Sequence, residues 1–217
     1  MNIAIIGAGN VGRALATSFS RAGHEIVVTS RDPQHAADVA AALSGVTTAS
    51  SPRAAAETAD VVVLAVPFAS AADVAASIRS VVAGKPVIDV TNRMSFGPDG
   101  AAMDTSISNA EELANLLPEA RVVKAFNTLF ASNQADPTVD GVTLDGFVAG
   151  DDPTAKSVVL ELVESMGLNP VDVGPLVRAR QLESLAFLNI ALQLANHGAW
   201  HSGWKLVAAP ATLPAAA

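Results

Sequence analysis

The 217-residue chain has no cysteine. That excludes disulfides, thiolate metal ligands and a cysteine nucleophile, and it fits a reducing compartment, so a cytoplasmic location is expected. Charge is scarce at 16% of residues, and acidic side chains outnumber basic ones 21 to 13, for a net charge of −8. Nucleic-acid binding depends on Lys and Arg contacts to phosphates, so no nucleic-acid partner is expected. Half of the residues are hydrophobic, yet no apolar run reaches the roughly 18 residues that a membrane span requires. The amino terminus enters a strand-like segment at once, so no signal peptide is expected. No internal repeat is visible.

What is present begins at residue 2. The apolar run Asn2-Ile3-Ala4-Ile5-Ile6 leads directly into Gly7-Ala8-Gly9-Asn10-Val11-Gly12. A buried strand, a glycine turn and a following helix form the context in which GxGxxG binds a dinucleotide. Gly7 permits the tight turn, Gly9 removes a side chain that would block a pyrophosphate, and Gly12 lets helix and strand pack closely. The amides of Asn10, Val11 and their neighbours then face the anion with the helix dipole behind them.

The second strand, Glu25 to Thr29, ends about 20 residues after the glycines, where an NAD enzyme would set a carboxylate against the ribose 2′-hydroxyl. This chain has Ser30 and Arg31 there. A hydroxyl and a planar guanidinium suit a 2′-phosphate, so the expected cofactor is NADP(H) rather than NAD(H). The nearest carboxylate, Asp32, precedes Pro33 and reads as a helix N-cap. His35 reads as part of a solvated helix face.

Strand-like and helix-like segments alternate along the chain, which predicts an α/β fold of the Rossmann type, with a doubly wound and mainly parallel sheet. The expected organisation is a dinucleotide-binding domain over 1–135, a small α/β extension with a long apolar helix over 136–207, and an Ala/Pro tail over 208–217. A helix is expected from Ala69 to Val82, another from Asn109 to Leu117 capped by Ser108, and one long helix from Leu182 onward. On that last helix His197, His201 and Trp204 would share a face. Two histidines without a local carboxylate are a poor metal site, so no metal is expected. The helix is apolar nearly all round, which points to burial or to a homodimer contact.

Clefts in such sheets open at the carboxyl ends of the strands. The candidates there are Val66-Pro67-Phe68, Asn92 and Asn127, with Phe68 able to cover a ring. Lys124 is the one candidate for acid or base work near the cleft. No His, Cys or carboxylate pair is placed for it, so no catalytic residue is assigned. Hydride transfer between stacked rings needs positioning and exclusion of water more than a strong acid.

The combined pattern resembles the NADP-dependent reductases that use the deazaflavin coenzyme F420. The resemblance rests on Gly7 to Gly12, Gly23 to Val28, Ser30-Arg31, Val66-Pro67-Phe68, Gly150-Asp151-Asp152, Gly174-Pro175-Leu176, Arg180 and Leu182 to Leu185. The stretches Ser108 to Glu111 and Val122 to Thr128 are also similar to the oxidoreductase domain of the six-transmembrane metalloreductases. The family implies that Ala8 through Val11 hold the pyrophosphate, Ser30 and Arg31 the 2′-phosphate, and Val66 to Phe68 with Asn127 to Ala131 the nicotinamide end. It places histidine where Asn127 stands here, which leaves the second substrate open among F420, FAD and FMN. The alternatives are an NADP(H)-binding sensor or assembly module, and a reductase of a small imine or carbonyl compound.

Overall fold

Ile3 and Ile5 pack into one apolar layer with Leu15, Phe19, Val159 and Leu162. Ala4 and Ile6 pack into another, with Ala56, Ala75, Ile78 and Leu113. Successive strand residues point to opposite faces, so a strand that is apolar at every position must be covered on both sides.

The computed structural model describes residues 1–97 and 100–207. Its strands are β1 (Asn2–Ile6), β2 (Glu25–Thr29), β3 (Val46–Thr48), β4 (Val61–Leu64), β5 (Pro86–Asp89), β6 (Met94–Gly97), β7 (Gly100–Met103), β8 (Arg121–Lys124), β9 (Thr138–Val139), β10 (Val142–Thr143), β11 (Asp145–Gly150) and β12 (Asn169–Gly174). Its α-helices are α1 (Asn10–Arg21), α2 (Pro33–Ala42), α3 (Pro52–Thr58), α4 (Ala71–Ile78), α5 (Asn109–Leu116), α6 (Ala131–Ala135), α7 (Pro153–Ser165) and α8 (Ala179–Asn196). The Ala/Pro tail over 208–217 lies outside the described residues.

Eight strands form one sheet in the order β3-β2-β1-β4-β5-β8-β11-β12. From β3 to β8 every pairing is parallel. β11 enters antiparallel to β8, through Ala149 opposite Lys124 and Gly150 opposite Val123, and β12 runs parallel to β11. The expected Rossmann-type, mainly parallel sheet is therefore present. The strand order reverses at β1 and β4, and a crevice opens there beyond their carboxyl ends.

Several helix starts follow their sequence signals. Asp32 accepts a hydrogen bond from the Gln34 amide at 3.0 Å, with Pro33 in the first turn of α2. Ser108 and Glu111 form a reciprocal capping box on α5.

Other elements differ from the sequence expectation. The segment expected as one helix from Ala69 to Val82 is a 3-10 turn over Phe68–Ser70 followed by α4, which ends at Ile78 so that the chain can turn into β5. α8 begins at Ala179, ahead of Leu182, and stops at Asn196, where His197 adopts a left-handed conformation with φ +49°. His201 and Trp204 consequently lie in irregular chain beyond the helix, and the expected shared face with His197 does not exist. The hairpins β6–β7 and β9–β10 had no counterpart in the sequence reading.

No helix among the described residues is long and apolar enough to cross a membrane.

Candidate functional site

Three glycines shape the turn after β1 in three different ways. Gly7 has φ +116°, and a Cβ there would stand 2.1 Å from the Ala65 carbonyl oxygen. A Cβ on Gly12 would stand 1.9 Å from the Gly7 carbonyl oxygen. These two positions are reserved by the protein's own backbone. At Gly9 a Cβ would meet no protein atom within 4 Å, so the space that it leaves belongs to the cleft. Gly9 is also the N-cap of α1 and offers no side chain to the first-turn amides. Those N–H groups remain available to an anion.

The cleft in front of them has a volume of about 610 Å³ and is lined by Gly7, Ala8, Gly9, Ser30, Arg31, Ser51, Val66 and Pro67, with Asp73 also on its wall. Arg31 is exposed and makes no ion pair or hydrogen bond among the described residues. Asp32, by contrast, is committed to its cap. The cleft therefore presents an unengaged guanidinium and a hydroxyl at the end of β2, where the adenosine ribose of a dinucleotide would lie. Asn10 opens α1 and is exposed at its first position. His35 is exposed too, with Nε2 3.8 Å from Asp32 Oδ2.

A second recess of about 190 Å³ brings together Val11, Asn92, Asn127 and Ala131, from three separate stretches of the chain, and adds Gln134 and Trp200. Asn127 Nδ2 donates to Asn92 Oδ1 at 2.8 Å and to the Leu182 carbonyl at 3.0 Å. Its own Oδ1 is buried without a partner among the described residues. Gln134 repeats the arrangement. Its Nε2 donates to the carbonyls of Phe126 and Leu129, and its Oε1 is buried without a partner among the described residues. Buried acceptors are rarely left unpaired, and with both residues lining one recess an N–H donor such as a primary carboxamide would suit it. Phe126, next to Asn127 and accepting from Gln134 through its carbonyl, has φ +63°, a conformation costly for a bulky residue and concentrated at ligand sites. Burial and an edge contact with Phe19 at 5.8 Å hold it there.

Phe68 does not line the main cleft. It lies in a third recess with Asn92, Arg93, Met94, Met103 and Asp104, where the Arg93 guanidinium sits 5.7 Å from the centre of its ring. Arg93 is ion-paired to Asp104 and Glu112. The second and third recesses meet at Asn92, and the main cleft shares no lining residue with either.

Lys124, at the end of β8, is wholly buried between Asp89 and Glu183. It cannot reach a substrate in the cleft. Neither this cluster nor Gln134 was found from sequence. A lysine and a glutamine carry no local signal for burial, and the partners of Lys124 lie 35 and 59 residues away.

The mainly parallel sheet, the glycine turn and the cleft at its switch point define a dinucleotide-binding oxidoreductase. Residues 2–93 match the family model described as NADP oxidoreductase, coenzyme F420-dependent. The chain is 36% identical over 212 residues to the F420-dependent NADP reductase of Methanothermobacter thermautotrophicus, covering 90% of each chain. It superimposes with a TM-score of 0.85 on a crystal structure assigned as an F420-dependent NADP reductase from Arthrobacter sp. FB24, at 30% identity and 99% of that chain. It is also 35% identical over 188 residues to the rat metalloreductase STEAP3, but spans only 36% of that protein's length. The chain belongs to the F420-dependent NADP reductase family and is an NADP-dependent oxidoreductase.

Proposed function

We propose that the protein transfers a hydride between NADP(H) and a deazaflavin or flavin, with coenzyme F420 first among the acceptors. The observation that carries this reading is the junction at Asn92. There, a recess suited to a carboxamide meets a second recess walled by Phe68, Arg93 and two methionines.

Bound nicotinamide would supply the hydride. The protein's own residues bind, orient and exclude water. Ser30 and Arg31 engage the 2′-phosphate, Ala8 through Val11 offer amides to the pyrophosphate, and Asn127 and Gln134 accept from the carboxamide. Val66 and Pro67 form the wall between. The Phe68 ring, with the Arg93 guanidinium over it, gives a flat surface for a second ring, and Met94 and Met103 can adapt to its shape. Positioning of this kind can supply much of the rate enhancement for a reaction that needs no proton relay. A reductase of imines or carbonyls would need a proton donor, and the burial of Lys124 counts against that alternative.

We also propose that the chain works in the cytoplasm as a homodimer through the C-terminal helix, with small molecules rather than nucleic acid as its other partners. On α8, Leu182 and Ala186 face inward, while Leu188, Leu192 and Leu194 are each about half exposed. An apolar face of this kind on one small domain marks an association surface.

The direct test is anaerobic mixing with NADPH and each of F420, FAD and FMN, following the loss of nicotinamide absorbance. Acceptor-dependent loss, fastest with F420, supports the proposal. No loss with any of them removes it.

A further inference from the structure

Lys124 is among the largest wholly buried side chains. Its ammonium donates to Asp89 Oδ2 at 2.7 Å, to Glu183 Oε1 at 2.8 Å and to the Thr91 carbonyl. The carboxylates are further satisfied. Asp89 Oδ1 accepts from the Thr91 amide at 3.0 Å and the Thr91 hydroxyl at 2.7 Å. Glu183 Oε1 also accepts from the Asn109 amide at 2.8 Å, and its Oε2 accepts from the Arg93 amide at 3.0 Å. Burial pushes the Glu183 carboxyl up from its ordinary range, against the pull of Lys124. One cation enclosed with two carboxylates is an expensive way to hold a core together. What such a cluster provides is a defined arrangement of the groups that it touches.

Those groups flank the site. Thr91 and Arg93, both held by the cluster, bracket Asn92 on either side. Glu183 follows Leu182, whose carbonyl accepts from Asn127 Nδ2. Lys124 itself precedes the left-handed Phe126 and Asn127 on the same run of chain. Both acceptors that fix the Asn127 amide group, Asn92 Oδ1 and the Leu182 carbonyl, are therefore one residue away from an atom held by the cluster.

We propose that the buried Lys124–Asp89–Glu183 cluster is the positioning device of the recess, locking the Asn92–Asn127 pair so that Asn127 Oδ1 faces inward and recognises the amino group of the nicotinamide carboxamide. Lys124 is thus a positioning residue that acts through Asn127. This inference rests on the NADP(H) reading of the site.

The test compares three probes by calorimetry: NADP⁺, its 3-acetylpyridine analogue, in which a methyl group replaces the carboxamide amino group, and 2′,5′-ADP, which carries only the adenosine half. An acceptor left unpaired when buried costs enough to predict that the wild type prefers NADP⁺ over the analogue by about tenfold or more. Lys124→Met and Glu183→Gln are expected to bring that ratio close to unity while 2′,5′-ADP affinity changes by less than about twofold, since the adenosine half does not meet the recess. Glu183→Gln leaves the Lys124–Asp89 pair in place and loses one acceptor, so it serves as the milder variant should Lys124→Met fold poorly. In an Asn127→Ala background, Lys124→Met should remove no further discrimination.

A wild type that binds NADP⁺ and its analogue equally overturns the inference, as does a Glu183→Gln variant with its preference intact. Parallel losses for all three probes in both variants would also overturn it, because they mark a merely structural role. A wild type that binds neither NADP⁺ nor 2′,5′-ADP defeats the underlying NADP(H) reading instead, and is told apart by that result.

Discussion

The carbonyl oxygen of Gly7 lies 1.9 Å from the place where a Cβ on Gly12 would stand, whereas a Cβ on Gly9 would touch nothing in the protein. The motif therefore divides into positions that the fold requires and one that the ligand requires. Gly12→Ala is expected to destabilise the protein by several kcal/mol, because neither β1 nor α1 can retreat without breaking the sheet. Gly9→Ala, at an N-cap with φ −74°, is expected to cost about 1 kcal/mol or less. It should nevertheless weaken NADPH binding by about tenfold or more, since the methyl group enters the pyrophosphate space. Thermal melts read the first effect and calorimetry the second. Equal melting losses for the two variants would contradict the division.

Glu111 caps α5 and receives two hydrogen bonds from Arg180, at 2.8 and 2.7 Å. The Arg180 guanidinium and the Ser108 amide and hydroxyl lower its pKa from 4.5 to about 2. A folded-state value below the unfolded one gives stability that is fully present above the unfolded pKa and lost as pH falls through the folded pKa. The window here runs from about 4.5 down to about 2. Glu111→Gln should be less stable than wild type at pH 7 by about 1–3 kcal/mol, and the gap should narrow through that window. A gap that stays constant from pH 7 to pH 2 would show that the ion pair is not the source.

Much of the fold could be read from local pattern. The apolar run of β1, the Asp32-Pro33 start of α2 and the Ser108–Glu111 box are short-range signals, and each marks its element correctly. The antiparallel insertion of β11 beside β8 could not be read this way, because strand direction is settled by partners distant in sequence. The end of α8 did leave a sign. Asn196-His197-Gly198 is a stop signal of the kind that ends helices in the left-handed conformation, and a Cβ at Gly198 would collide with Gln193 Oε1 at 2.0 Å.

The candidate site divides the same way. Gly7, Gly9, Ser30 and Arg31 stand at fixed spacings within one βαβ unit, so sequence places them in one cleft. Asn92 and Asn127 were legible only as residues at strand ends, and Ala131 only through the family resemblance. Their meeting with Gln134 depends on α6 folding back so that Nε2 reaches the Phe126 and Leu129 carbonyls, and the support from Lys124 and Glu183 on how α8 packs over the sheet.

Leu188 and Leu192 stand one helical turn apart on the outer side of α8, each close to half exposed. The double variant Leu188→Glu/Leu192→Glu is expected to leave the fold intact, since neither side chain belongs to the core. Light scattering after gel filtration should show wild type as a dimer and the variant as a monomer. A wild type that is monomeric at the highest measurable concentration, or a variant that remains dimeric, would remove this surface from the account.

The 2′-phosphate grip of Ser30 and Arg31 is tested most directly by titrating NADPH and NADH into the wild type and into Arg31→Ala. With charge-assisted hydrogen bonds at stake, Arg31→Ala should weaken NADPH by about 10- to 100-fold while NADH changes by less than about threefold. Equal losses for both nucleotides, or a wild type that binds them with the same affinity, would contradict the account.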